Sequence, residues 1–537
     1  MALLTRTTAS AAVCLVISLL LVLLRKPAVL SLPAYLSPWN SCPTPNGREG
    51  LSQFYLQVPY AASWKSWWDP HGAHHNDQSW LSGRRGQGGG VISHDWNILY
   101  HLGGNGPWVE KVDGTVDGGI AVPHRCTVDQ VHMLSRHAER YPTLKAAFRL
   151  QYLVNAIEEA KENNATFHDD LEFLNKWNYF LSDPPSQIEQ LTSTGPFAGS
   201  LGAFSTGVKL RTRYSNLLSN WTPPSGKTNF WAGDSPRVID TAKHFAAGFF
   251  GLKWNDTAQL HIIPETPDRG GDTLTPGKSC SAYLRDPEHS HMRGMTMMSR
   301  FRSTYLPSIQ ERLRAQDPTF AANLDEGAVF SMQELCGFET TVRGGSSWCG
   351  VFTRDEWRAF EYARDLVHYY RSGPGNRFGA VMGWVWLNAT ASLLAQGPGV
   401  AGPLFLSFVH DGDMVMLLAA LDVFRDEEHL PVTHEDTERK WRTSQVTPMG
   451  GRIILERLSC EADALEDQRN GEMEVFVRLN INDGIVALPG CESGPGKSCP
   501  LDQFLNMVAS RGKEVGSFAE MCSLSQDAPD RITFLHQ

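Results

Sequence analysis

The stretch Gln130-Val-His-Met-Leu-Ser-Arg-His-Ala-Glu-Arg-Tyr-Pro-Thr143 gathers Arg136, His137 and Arg140 at the end of an apolar run. Two guanidiniums beside one imidazole suit a phosphoryl group: the arginine forks hold its oxygens and a neutral ring nitrogen attacks phosphorus. Alone, Arg-His-x-x-Arg is a weak signal that arises by chance on ordinary surfaces. Its matching half lies far downstream, in Leu404-Phe-Leu-Ser-Phe-Val-His-Asp-Gly-Asp413. There His410 offers another donor to phosphate oxygens, and Asp411 is a candidate acid for a leaving alkoxide. A third element, Asp234-Ser-Pro-Arg237, opens a helix whose apolar face is Val238, Ala242, Phe245 and Phe249. Asp234 or Ser235 caps it and Pro236 suits its first position. Arg237 then sits in the first turn, where free amides and the helix dipole favour an anion.

These residues form a set for in-line phosphoryl transfer. His137 is the candidate nucleophile; Arg136, Arg140, Arg237 and His410 would hold the non-bridging oxygens. Nearby guanidiniums lower an imidazole pKa, which keeps His137 neutral in mildly acidic solution. Asp411 donates only when protonated, so an acidic pH optimum is expected. Each residue also has a plainer reading. An arginine at a helix start is most often a surface residue, and a His-Asp pair at a strand end usually satisfies backbone groups. Asp413 reads as a helix cap, and Glu139 as facing solvent or paired with an arginine.

The elements that must position this set are legible in outline. Residues 127–134 read as a strand running straight into Arg136-His137. Residues 404–409 are a continuous apolar run of strand length, the pattern of a buried parallel strand, and residues 414–424 read as the helix after it. Both motifs thus fall at the carboxyl ends of strands, where open α/β sheets bind ligands. Residues 252–369 read as mostly helical, with long loops and no parallel-strand run, and form a helical cap. The implied division is 1–26 as a targeting segment, 27–251 and 370–537 as two parts of an α/β domain, and 252–369 as the cap.

With 537 residues, 42% hydrophobic and 20% charged, the composition is that of a globular protein with a large core. A net charge of -10 without a basic stripe argues against nucleic acid as a partner. Arg6, an apolar run over residues 9–24, and Arg25-Lys26 read as a signal peptide or an uncleaved signal-anchor. Either sends the chain into the secretory pathway, released outside the cell or held at its surface by an N-terminal membrane anchor. Sequons at Asn164, Asn220, Asn255 and Asn388 agree, as do nine cysteines beyond Cys14, none in a C-x-x-C spacing. Nine is odd, so one is left over, and Cys42 is the candidate.

Other motifs carry less. His71, His74 and His75 lie in a polar loop and read as solvated rather than as metal ligands. Gly277-Lys278-Ser279 and Gly496-Lys497-Ser498 lack the upstream glycine of a phosphate loop, and no Gly-x-Ser-x-Gly elbow exists. Trp64, Trp67 and Trp68 read as packing.

Ser-Arg-His-Ala-Glu-Arg-Tyr-Pro-Thr resembles the Arg-His-Gly-x-Arg-x-Pro signature of the histidine acid phosphatases. Val-His-Asp-Gly-Asp resembles their His-Asp signature, as in fungal secreted acid phosphatases and phytases. Tyr100-His-Leu-Gly-Gly-Asn-Gly-Pro107, Gly207-Val-Lys-Leu-Arg-Thr-Arg-Tyr214, Arg237-Val-Ile239 and Gly373-Pro-Gly-Asn376 follow in family order, so the resemblance spans about Trp96 to Cys522. It implies a doubly wound, mainly parallel α/β domain with an inserted helical cap, and a site between them. It implies His137 as nucleophile, Asp411 as proton donor, and Arg136, Arg140, Arg237 and His410 as phosphate ligands. No metal or organic cofactor is implied. The substrates would be small organic phosphate esters, among them inositol phosphates, with a dedicated phytase as the alternative enzyme. The resemblance also implies disulfides Cys126–Cys460, Cys280–Cys522, Cys336–Cys349 and Cys491–Cys499. One departure stands out: Ala138 replaces the family's glycine after the nucleophile. If that position needs φ > 0 or close backbone approach, the methyl misplaces His137, and the chain becomes a weakened phosphate-binding relative.

Overall fold

The computed structural model describes residues 96–219, 221–461 and 473–537. The N-terminal segment, Cys14, Cys42, the Trp64 and His71 clusters and Asn220 lie outside them. The longer elements, in chain order, are β1 (Cys126–Arg136), α1 (Leu144–Glu162), α2 (Gly199–Arg213), β2 (Thr228–Gly233), α3 (Pro236–Phe249) and β3 (Ala258–Ile263). They continue with α4 (Arg293–Gln316), α5 (Glu326–Arg343), α6 (Arg354–Arg371), α7 (Gly379–Gln396), β4 (Leu404–Val409) and α8 (Asp411–Leu421). The last are β5 (Arg452–Glu461), β6 (Met473–Ile481), β7 (Gly484–Val486), β8 (Cys499–Pro500) and α9 (Leu501–Val515).

The strands form one sheet in the order β3-β2-β4-β1-β5-β6-β7, with β8 on β6. From β3 to β1 every pairing is parallel; from β1 to β7 every pairing is antiparallel. The α/β class expected from the sequence is the class found. The antiparallel extension was not legible beforehand, because buried charged residues, Arg452 and Glu456 in β5 and Arg478 in β6, interrupt what would otherwise read as apolar runs.

Alternation on the parallel strands shows why both faces must be covered. On β4, Leu404, Leu406 and Phe408 join one core with Phe230 of β2 and Phe245 and Phe249 of α3. Phe405 and Val409 point the other way, into a core shared with α7 and α8. Every β4 side chain is buried. At roughly 1.5–3 kcal/mol for each large apolar side chain, this strand anchors the sheet's centre. On the first face α2 and α3 touch backbone to backbone: a Cβ on Gly248 would lie 1.9 Å from the Phe204 carbonyl oxygen. That close approach sets α3, and Arg237 with it, against the sheet.

Helices α4, α5 and α6 pack together as the expected helical layer, and α1 joins them through α5. The span 252–369 also holds β3, so it is not wholly helical. β3 is an edge strand whose inner residues are only partly buried, and so carries no continuous apolar run. α8 starts at Asp411 rather than Met414, with His410 as its N-cap.

Disulfides join Cys126–Cys460, Cys280–Cys522, Cys336–Cys349 and Cys491–Cys499, the pairs that the resemblance implies. Among the described residues no helix is long and apolar enough to cross a membrane. Asn164 and Asn255 are exposed, whereas Asn388 is half-buried within α7 and Thr390 of its sequon is fully buried.

Candidate active site

Strand register brings the two distant motifs together. Ser135 and Arg136 of β1 lie opposite Phe408 and Val409 of β4. The His137 amide then donates to the Val409 carbonyl at 3.0 Å, and the Gly450 amide donates to the His137 carbonyl at 2.9 Å. One residue past these strand ends, His137 and His410 face each other, ring centroids 5.9 Å apart and tilted by 70°. Arg237 enters from the start of α3, and its Nη2 lies 3.4 Å from His410 Nδ1.

His137 is buried, and its Nδ1 lies 2.9 Å from the Ala138 carbonyl oxygen. That acceptor holds the proton on Nδ1 and leaves the Nε2 lone pair free. Burial first, then Arg136, Arg140, Arg237 and His410, hold the imidazole well below its usual pKa. Ala138 is absent from the positive-φ residues. Its amide donates to Thr241 Oγ1 at 2.9 Å, and Thr241 donates to the Arg237 carbonyl at 2.7 Å. With Phe204, Phe245 and Phe408, Ala138 lines a cleft of about 500 Å³. Its methyl group is accommodated without backbone strain.

Arg136 is fixed by its own Nη1, which donates to the Gly104 carbonyl at 2.9 Å and the Thr447 carbonyl at 2.6 Å. Gly104 turns its carbonyl inward at φ 81°, a conformation that favours glycine. Arg140 donates to the Tyr141 carbonyl at 2.8 Å. The Nε groups of Arg136, Arg140 and Arg237 are all buried and find no acceptor among the described residues. Arg136, Arg140 and Arg237 all act on the His137 ring, and three guanidiniums converging on one imidazole suit an anion.

Asp411 is held between two guanidiniums, Arg136 Nη2 at 3.1 Å from Oδ2 and Arg371 Nη2 at 2.9 Å from Oδ1. Burial opposes its ionisation, but Arg136, Arg371, His368 and His137 outweigh it and keep the carboxyl well below its usual range. Asp413 is not the N-cap but caps from within the first turn of α8, where its Oδ2 accepts the His410 amide at 3.1 Å. Burial, with Glu265 nearby, pushes its carboxyl up to about 7. Glu139 neither faces solvent nor makes a direct ion pair; it is buried and its Oε1 accepts the Trp108 amide at 2.9 Å.

Glu265 and Arg371 stand at the site without having been singled out in the sequence. Glu265 follows β3 and accepts from His410 Nε2 at 2.9 Å. Missing the edge strand hid it. Arg371 is the last residue of α6, just before Gly373-Pro-Gly-Asn376, and that adjacency was its only signal. Lys278, in one of the discarded Gly-Lys-Ser triplets, also reaches this region and acts on Glu265.

The family model described as histidine phosphatase superfamily (branch 2) matches residues 127–482. An acid phosphatase of Komagataella pastoris is 34% identical over 438 residues, 81% of this chain and 88% of that protein. A phytase of Candida albicans is 33% identical over 445 residues, 82% of this chain and 90% of that protein. Among solved structures, the phytase from D. castellii superposes with a TM-score of 0.73 at 29% identity, covering 82% of this chain and 90% of that one.

Proposed function

This chain belongs to branch 2 of the histidine phosphatase superfamily, and on that premise we propose an acid phosphomonoesterase with His137 as nucleophile and Asp411 as proton donor. The observation that carries this reading is the convergence of Arg136, Arg140, Arg237 and His410 on the buried His137 ring, whose Nδ1 faces the Ala138 carbonyl and leaves Nε2 free. In the first step Nε2 attacks phosphorus in line. The N–P bond forms, the ester P–O bond breaks, and the Asp411 proton goes to the leaving alkoxide. In the second, water attacks the phosphohistidine, Asp411 takes its proton, and inorganic phosphate leaves. Arg136, Arg140, Arg237 and His410 neutralise the equatorial oxygens throughout.

Asp411 is a carboxylate in the free site, so the proton it donates belongs to the substrate complex. A phosphomonoester has a second pKa of about 6, so in mildly acidic solution it arrives carrying a proton. Its oxygens compete with Asp411 for Arg136, and as that ion pair loosens the proton passes to the carboxylate.

Inositol polyphosphates are a second substrate class, favoured by cations outside the phosphate pocket. His291 is held below its usual pKa by partial burial and by Arg371, Lys145 and Lys278, charges that three separate elements bring to one place. A polyphosphorylated ring has further phosphates to place there. The weakened phosphate-binding reading loses its motive, since Ala138 is unstrained. Four disulfides and exposed sequons suit export into an oxidising compartment. In that reading the apolar run of residues 9–24 is the exporting segment, whether removed or kept as an anchor.

The test is an acid-quenched phosphoenzyme trap near pH 5, with a labelled phosphomonoester, excess chelator and a His137→Ala control. Acid-labile label that is lost in the control is the expected result. Folded protein that takes no label and releases no phosphate would falsify the enzyme assignment.

A further inference from the structure

In the parallel half of the sheet, polar groups reach the site from the carboxyl ends of the strands. β1 delivers Arg136 and His137, β4 delivers His410 and Asp411, and the turn after β2 delivers Arg237. β3, at the edge, is followed by Glu265, whose side chain reaches across to His410 rather than into the phosphate pocket itself.

The geometry at His410 poses a proton problem. Nε2 lies 2.9 Å from Glu265 Oε1, so the ring proton sits on Nε2. Nδ1 is then an acceptor, facing Arg237 Nη2 at 3.4 Å. A phosphate oxygen arriving between His137 and Arg237 is itself only an acceptor, and His410 can bind it through Nδ1 only by taking up a second proton. The imidazolium so formed lies next to the Glu265 carboxylate. We infer that Glu265 is a positioning residue that makes His410 a cationic phosphate donor, so that phosphate binding at this ring is coupled to proton uptake.

The charges around the pair fit this role. Burial opposes ionisation of Glu265, yet its hydrogen bond with His410, with Lys278 and Arg237 behind, keeps its carboxyl below the usual range. Arg237 from α3, Lys278 from the turn Pro276–Ser279, and His137 from the site all face this pair. Asp413, on the helix that His410 caps, faces it too, but its carboxyl is pushed up to about 7 and supplies little negative charge in acid. Glu265 is thus the carboxylate available to balance the imidazolium.

The opposite expectation is equally concrete: a carboxylate this near the pocket repels phosphate, and removing its charge should tighten binding. The sign of one substitution separates the two. Glu265→Gln keeps an acceptor for Nε2 and removes only the charge; Glu265→Asp keeps the charge at a shorter reach. The measurement is calorimetric binding of inorganic phosphate to the full chain, for wild type, both variants, His410→Ala and the Glu265→Gln/His410→Ala pair. Thermal unfolding checks that each is folded. The expected result is about tenfold weaker binding in Glu265→Gln, the scale of one charge-assisted hydrogen bond. The defect should grow as pH rises from about 4.5 to 6.5, be partly rescued by Glu265→Asp, and vanish in the His410→Ala background. Equal or tighter binding in Glu265→Gln, or a defect that persists without His410, overturns the inference. It rests on the phosphate-site reading above, and the two fail separately. Phosphate binding with this coupling but without turnover would reject only the enzyme, and turnover with an indifferent Glu265 would reject only this role.

Discussion

At the scale of single residues, the chemistry follows from hydrogen-bond direction. His137 keeps its Nδ1 proton against the Ala138 carbonyl, so Nε2 is left as the free lone pair before any ligand arrives. The same residue settles the one departure from the family signature. Because Ala138 is not in the left-handed region and its amide is satisfied by Thr241, Ala138→Gly should leave kcat/KM within about twofold and lower stability by roughly 0.5–1 kcal/mol. Steady-state kinetics and chemical denaturation read both; a tenfold gain in kcat would show that the methyl does misplace His137. Arg136, His137, Arg140 and the His410-Asp411 pair were legible in the sequence because they sit in short strings beside apolar runs. Arg237 was legible only through the capping pattern around it. Glu265 was not, since a lone glutamate after a weak edge strand has no local signature.

At the scale of elements, the site is a set of joints between strand ends and helix ends. The sharpest is where α6 finishes and α8 begins: Arg371, the last residue of one, holds Asp411, the first residue of the other, at 2.9 Å. Arg371→Gln removes one of the two cations that keep Asp411 ionised, so its carboxyl pKa rises toward the usual range. A raised acid stays protonated to higher pH. The alkaline limb of kcat, which reports the substrate complex, should therefore move up by about one unit with an alkyl phosphate, whose leaving group needs the proton. An aryl phosphate with a good leaving group should show little shift, and equal shifts for both esters would remove Asp411 from the donor role. Strands β1 and β4 and helix α3 were legible because burial on one or both faces leaves a clear period. β3 was not, because a half-exposed edge segment carries little periodic signal, and the antiparallel strands were not, because buried charged residues such as Arg452, Glu456 and Arg478 interrupt their apolar runs.

Over the whole molecule, acid tolerance is set against buried imidazoles. His132 is fully buried in β1, stacked on Phe405 with centroids 4.4 Å apart, and neither ring nitrogen has a partner among the described residues. Burial pushes its pKa down to about 3, while in the unfolded chain it returns to about 6.5. Between those values the unfolded state binds more protons, so stability falls as pH drops through that window. At pH 5 the loss from this one residue is roughly 2 kcal/mol relative to neutral pH. His132→Phe should keep the stacking and flatten that slope, read as a smaller difference in unfolding free energy between pH 7 and pH 5; an unchanged slope would mean the imidazole is solvated. Disulfides oppose the loss, and Cys126–Cys460 closes the longest loop, 334 residues apart in sequence. The same long-range stitching gives the pairing of β1 with β4 a consequence in time. His137 and Asp411 leave the ribosome about 270 residues apart, an interval on the order of 15 to 55 s at roughly 5–20 residues per second. Through that interval the nascent chain displays an arginine-flanked histidine with no His410, no Asp411 and no β4 to dock on. The set is complete only when the second half arrives, so the order of synthesis alone fixes when the two motifs can meet.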